Sequence, residues 1–152
     1  MASTLTQIVL HVVFHTKPKR TNIRDCDLTR LFEYIAGVVN GLGGATIQVG
    51  GMPDHVHILM LMTKNMSVAD FVKEVKISSS KWLRTIDMHF YNAFNWQSGY
   101  GAFSVSPSLI ETTRNYIANQ AQHHRNRSSF EELRYILRGY GVKYDERYLF
   151  DE

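Results

Sequence analysis

Two histidines one residue apart, His55 and His57 in "GGMPDHVHILMLM", are the first residues in this chain with the means to do chemistry. The run that follows them, Ile58 to Met62, reads as a buried strand led in by two glycines and a proline. Residues two apart on a strand share a face, so both imidazoles project together while Val56 points the other way, into the core. Neutral imidazole is the commonest protein metal ligand, which makes the pair a bidentate nitrogen site for a divalent cation. Two hydrogen-bonded histidines on a half-exposed sheet face would leave the same pattern, so the pair alone does not decide.

A third ligand and a reacting group are offered by "ETTRNYIANQAQHHRNR". Tyr116 and Gln120 are four apart and share one face of a helix. A glutamine carbonyl suits Mg²⁺ or Mn²⁺, and a tyrosine one turn away would hang its hydroxyl beside the metal. Without the histidines, Tyr116 is an ordinary tyrosine of an amphipathic helix.

The elements that must position these residues follow from periodicity. "TLTQIVLHVVFHT" (4–16) is an apolar strand with little alternation, hence central. Asp27 is placed to cap a helix carrying Leu28, Leu31, Phe32, Ile35, Val38 and Val39, ended by glycines 41, 43 and 44. "ATIQVG" and "HVHILMLM" form a hairpin through "GMPD". Ser67, three before Asp70, caps a second helix, and "AFSV" reads as the last strand. Pro107 opens a third helix running to about His124. Ser128 and Ser129, each three before a glutamate, start a short helix that ends at Gly139. The order β-α-β-β-α-β predicts an α+β, ferredoxin-like (RRM-like) antiparallel sheet with extra C-terminal helices. Helices would cover one face and leave the other open, as in sheets that hold single-stranded nucleic acid.

Composition is compatible with this reading. The 152 residues suit one domain, with a core over about 5–127 and an acidic extension over 128–152. Residues 1–127 hold 13 Lys/Arg against 8 Asp/Glu, while 128–152 hold 4 against 6. A weakly basic body suits a nucleic-acid partner without requiring one. Cys26 stands alone, excluding internal disulfides and cysteine-rich zinc modules. No signal peptide and no apolar run of the ~20 residues a membrane span needs are evident, so a cytoplasmic location is expected.

Taken together, "VVFHTK", "GGMPDHVHIL", "VKISSSKW", "FNWQSGYGAFSVS" and "YIANQAQHH" resemble the single-tyrosine transposases of the smallest bacterial insertion sequences (IS200-like), within the wider group of histidine–hydrophobic–histidine nucleases. The likeness runs from about residue 5 to 150. It implies that His55 and His57 bind the cation, Mg²⁺ or Mn²⁺, that Gln120 is an added ligand, and that Tyr116 is the nucleophile. It also implies a bacterial or archaeal homodimer acting on single-stranded DNA with hairpins, with active sites shared between subunits. The reaction would be a transesterification through a 5′-phosphotyrosine. The absence of a Gly-x-x-x-x-Gly-Lys loop agrees with chemistry that uses no ATP.

DNA contacts are less legible. Lys76, Lys81 and Arg84, spaced by three serines, suit a phosphate backbone or equally a solvated helix face. Arg125 and Arg127 follow the tyrosine helix. Trp96, Tyr100 and Phe103 suit base stacking, though core packing explains them better. His11, His15, His123 and His124 are acid–base candidates only because histidine titrates near neutrality. Two other readings keep the fold: a single-strand binding module without catalysis, and a metal-dependent nuclease in which water attacks.

Overall fold

The computed structural model describes residues 3–18, 20–123 and 128–145. Its elements are β1 (Val9–His15), α1 (Leu28–Gly41), β2 (Ala45–Met52), β3 (His55–Leu61), α2 (Val68–Ile86), the single turn α3 (Met88–Tyr91), β4 (Gly101–Ser104), α4 (Ile110–Ala118), α5 (Gln120–His123) and α6 (Ser129–Gly139). The four strands form one antiparallel sheet in the order β2-β3-β1-β4, the ferredoxin-like arrangement. β1 is central, as its largely apolar run with little polar alternation predicts.

Alternation divides the sheet into two faces. Leu10, Val12 and Phe14 of β1 and Val56, Ile58 and Met60 of β3 enter one core with Leu31, Ile35 and Val39 of α1 and Phe71, Val72, Val75 and Leu83 of α2. Ser67 caps α2 by accepting from the Asp70 amide (3.1 Å). Asp27 departs from its expected role. It makes no side-chain cap and is buried, accepting hydrogen bonds from the Tyr91 hydroxyl (2.6 Å) and Arg24 Nε (2.9 Å). A carboxylate bonded to a tyrosine and a guanidinium ties α1 to α3, a long-range contact that local pattern does not disclose.

The second face is covered, not open. Val9, Leu59 and Val105 pack with Ile117 of α4, and Val13 and Phe103 pack with Leu133, Ile136 and Leu137 of α6. Each such buried aliphatic side chain stabilises the docked helices by about 2 kcal/mol. Burial on both faces is why β1 and β3 read as continuous apolar runs rather than alternating ones. The acidic extension is therefore a structural layer of the domain up to residue 145. Among the described residues no helix is long and apolar enough to cross a membrane.

Candidate active site

His55 and His57 lie on the face covered by α4 and α6, while Val56 is in the main core, as strand parity requires. Both imidazoles are fully buried, at 0% exposure. Around them converge residues from four other places in the chain.

Asp54, in the β2–β3 turn, sets its Oδ1 2.7 Å from His55 Nδ1. The Ser129 hydroxyl donates to both Asp54 oxygens (2.9 and 2.8 Å). On the other side of the ring, His55 Nε2 is 3.0 Å from Gln120 Oε1 and 3.1 Å from Glu132 Oε1. Burial by itself would push His55 down, but hydrogen bonds to Asp54 and Glu132 outweigh it and raise the imidazole to about 9. Each ring nitrogen of His55 thus faces a carboxylate oxygen, Asp54 Oδ1 on one side and Glu132 Oε1 on the other. Burial likewise opposes ionisation of Asp54, and the bonds from His55 and Ser129 bring it down to about 2. Glu132 is held well below the usual carboxylate range, its burial outweighed by hydrogen bonds from His55 and His57.

His57 Nε2 donates to the same Glu132 Oε1, at 2.8 Å. Glu132 is 2% exposed and Gln120 also 2%. The sequence pattern placed Glu132 only in a capping box with Ser129, not at the site. Its signal was present: it sits on the stripe of α6 that carries Leu133, Ile136 and Leu137, where a lone carboxylate has no reason to be unless it finds a partner. Ser128 caps α6 by accepting from the Glu131 amide (3.2 Å), as expected, whereas Ser129 turns to Asp54.

Tyr116 is half-buried, its ring edge-on to His57 at 6.1 Å between centroids. It lines a cavity of about 270 Å³ with His11, Thr112, Thr113, Tyr135 and Tyr140. The single helix expected from Pro107 to His124 is instead a 3₁₀ turn (Pro107–Leu109), α4 and α5, broken at Asn119. The Asn119 side chain donates to the Asn115 carbonyl (2.9 Å), a local bond of the kind that ends helices. Tyr116 and Gln120 nevertheless reach the same site, one over His57 and the other on His55. α4 can approach because Gly50 of β2 has no side chain. A Cβ there would lie 2.5 Å from the Ile117 carbonyl oxygen and 2.9 Å from Ile117 Cγ2.

Two more histidines form an outer layer. His11 Nε2 is 2.8 Å from His57 Nδ1, and His11 Nδ1 is 3.0 Å from the Tyr140 hydroxyl. His15 stacks on His55 at 5.2 Å. Burial, with His57 and His55 respectively as neighbours, pushes His11 and His15 down to about 3, so both are neutral. 

Of the residues suggested for DNA contact, Lys76 and Arg84 of α2 are directed elsewhere. α2 lies on the opposite face of the sheet. Lys76 Nζ donates to the carbonyls of Gln97 (2.9 Å) and Gly99 (2.6 Å), and Arg84 Nη2 to that of Phe94 (2.6 Å), so both brace the segment before β4. Lys81 is exposed. Arg125, with His124 and Arg127, lies outside the described residues. Trp96 packs edge-on against Phe14 and donates to Ser79 Oγ (3.0 Å), and Phe103 is buried, while Tyr100 is exposed.

The donor set fits a divalent cation. Ligand atoms of His55, His57 and Glu132 lie within 4.8 Å of one another, and this is the one such cluster among the described residues. Two imidazole nitrogens and one carboxylate, with the Gln120 carbonyl oxygen 3.0 Å from His55 Nε2, would offer an ion a mixed nitrogen–oxygen shell carrying one negative charge.

A buried histidine pair on a ferredoxin-like sheet, joined by a carboxylate and flanked by a tyrosine and a glutamine from the following helices, has the donor chemistry of a metal site. Residues 4–120 match the family described as "Transposase IS200 like", and the chain belongs to that family. It is 31% identical over 85 residues to the ISDra2 transposase TnpA of Deinococcus radiodurans, a match spanning 53% of this chain and 59% of that protein. The chain thus spans less than two thirds of that relative. Two solved structures share the fold. One is a candidate transposase of Deinococcus radiodurans R1 (TM-score 0.62, 22% identity, 79% of this chain and 95% of that one). The other is a REP-associated tyrosine transposase bound to a REP hairpin (TM-score 0.55, 14% identity, 99% and 90%). α6, with Glu132, lies beyond the family-matched residues.

Proposed function

We propose that this transposase cleaves and rejoins single-stranded DNA by transesterification, with Tyr116 as nucleophile and a cation site made of His55, His57, Gln120 and Glu132. The observation that carries this reading is the meeting of Tyr116 and Gln120 with the histidine pair inside one chain of the family. The Tyr116 phenolic oxygen forms a bond to phosphorus as the bond from phosphorus to the 3′-oxygen breaks. The phenolic proton is released and the 3′-oxygen gains one, leaving a 5′-phosphotyrosine and a 3′-hydroxyl. One phosphodiester replaces another, so the step needs no nucleotide hydrolysis. A second 3′-hydroxyl attacking the phosphotyrosine rejoins the DNA.

When bound, Mg²⁺ or Mn²⁺ supplies Lewis-acid stabilisation of charge on the phosphate and on the leaving oxygen. The chain's own part is to hold the donors rigid. Asp54 and Ser129 fix the His55 ring, and Gln120, buried at the start of α5, donates from its amide to the Tyr116 carbonyl (3.4 Å). The REP-associated relative was solved on a hairpin, and we extend hairpin-bearing single strands to this chain as substrate, with Lys81 and Arg125 as backbone contacts. The assembly of Tyr116 and His57 within one chain favours action in cis, with any homodimer serving DNA pairing rather than completing the site. The bacterial or archaeal cytoplasm is the matching location.

The test is a covalent-adduct assay. End-labelled hairpin single strands are incubated with the protein and Mn²⁺, with and without chelator, beside Tyr116→Phe. A metal-dependent, Tyr116-dependent shift on a denaturing gel is expected. Cleavage without a shift would make water the attacker, and binding without cleavage across a broad hairpin set would make the chain a binding module.

A further inference from the structure

A ligating histidine is oriented by whatever its other ring nitrogen bonds. His55 has a carboxylate there, Asp54. On His57 Nδ1 stands His11, 2% exposed, at 2.8 Å. His11 stands on β1 two residues from Val13, the register partner of His57, so the two rings are diagonal neighbours on one face, 5.1 Å apart. Behind His11 is Tyr140, whose ring lies flat on Phe103 (4.6 Å, 9°) and whose hydroxyl also bonds Thr113 of α4.

This row works in two directions. With a proton on His57 Nε2, facing Glu132, His11 Nε2–H donates to His57 Nδ1. With the Nε2 lone pair turned to a cation, Nδ1 carries the proton and His11 Nε2 accepts it, while His11 Nδ1–H donates to the Tyr140 oxygen. Imidazole and phenol can each exchange donor for acceptor without moving a heavy atom. We propose that His11 is a positioning residue that keeps His57 Nε2 aimed at the Glu132–His55 cluster in both forms, and that Tyr140, from the segment after α6, holds His11 in turn. The C-terminal segment outside the family-matched residues thereby steadies both ligating histidines, through Ser129 on one side and Tyr140 on the other.

The inference rests on the cation site proposed above, and its test separates the two. Mn²⁺ affinity is measured by electron paramagnetic resonance on the full chain, its His11→Phe, His11→Gln and Tyr140→Phe variants, with thermal melts to verify folding. Ring-nitrogen NMR with Zn²⁺ as a diamagnetic probe reads the His57 tautomer. His11→Phe should weaken Mn²⁺ about 10- to 100-fold and leave His57 in mixed tautomers. His11→Gln, which keeps an acceptor, should recover most of that loss. Tyr140→Phe should weaken binding by a smaller factor, about three- to tenfold. Should His11→Phe fail to fold, Tyr140→Phe decides. Wild-type affinity and an unchanged His57 tautomer in the folded variants would overturn the inference alone. No Mn²⁺ binding by the wild-type chain would overturn the cation site with it.

Discussion

His55 and His57 differ in what stands behind them, and that difference is the chemistry of the site at the scale of residues. Asp54 gives His55 a charged partner, while His57 leans on a neutral imidazole, and Glu132 joins the two rings on the inner side. Exchanging Glu132 for Gln keeps the shape and removes the charge that balances a cation. Glu132→Gln should therefore weaken Mn²⁺ binding about tenfold or more, on the order of 1.4 kcal/mol, as read by calorimetry. Equal affinity would remove Glu132 from the ligand set. The pairing of His55 with His57 was legible from spacing because strand parity is local. Glu132 was not, because it is 75 residues from His57 and only the docking of α6 brings them together.

At the scale of elements, the tyrosine helix depends on a glycine in a neighbouring strand. A Cβ on Gly50 meets the backbone of Ile117, which cannot give way unless α4 moves. Gly50→Ala should cost about 1–3 kcal/mol of stability and slow adduct formation by on the order of 100-fold, since reacting groups displaced by ~1 Å lose that much. A thermal melt and single-turnover adduct rates measure the two effects, and wild-type values for both would mean that β2 does not set the position of α4. Most elements followed from periodicity and caps: β1, the β2–β3 hairpin, α1, α2 and the Ser128 cap of α6 lie where the pattern puts them. The break at Asn119 did not, since an asparagine bonding back to its own backbone leaves no mark on hydrophobic spacing.

At the scale of the whole molecule, the covered second face bears on how the proposed reaction would be organised. Tyr116, Gln120 and the histidine pair meet in one chain, so the proposed site needs no second subunit to be complete. Mixing His55→Ala with Tyr116→Phe subunits should then yield no adduct, with subunit exchange verified independently. Recovery of adduct in the mixture would show that the tyrosine helix acts in trans. By itself the amino-acid sequence determined the order of elements, the central place of β1, the shared face of the two imidazoles and the family, because each is written in spacings of a few residues. The tertiary structure alone decided that α6 covers that face, that Glu132 meets both histidines, and that Lys76 and Arg84 brace a loop on the far side. Those outcomes turn on which surfaces meet between separate segments of the chain, and such contact is settled by packing, which no local pattern encodes.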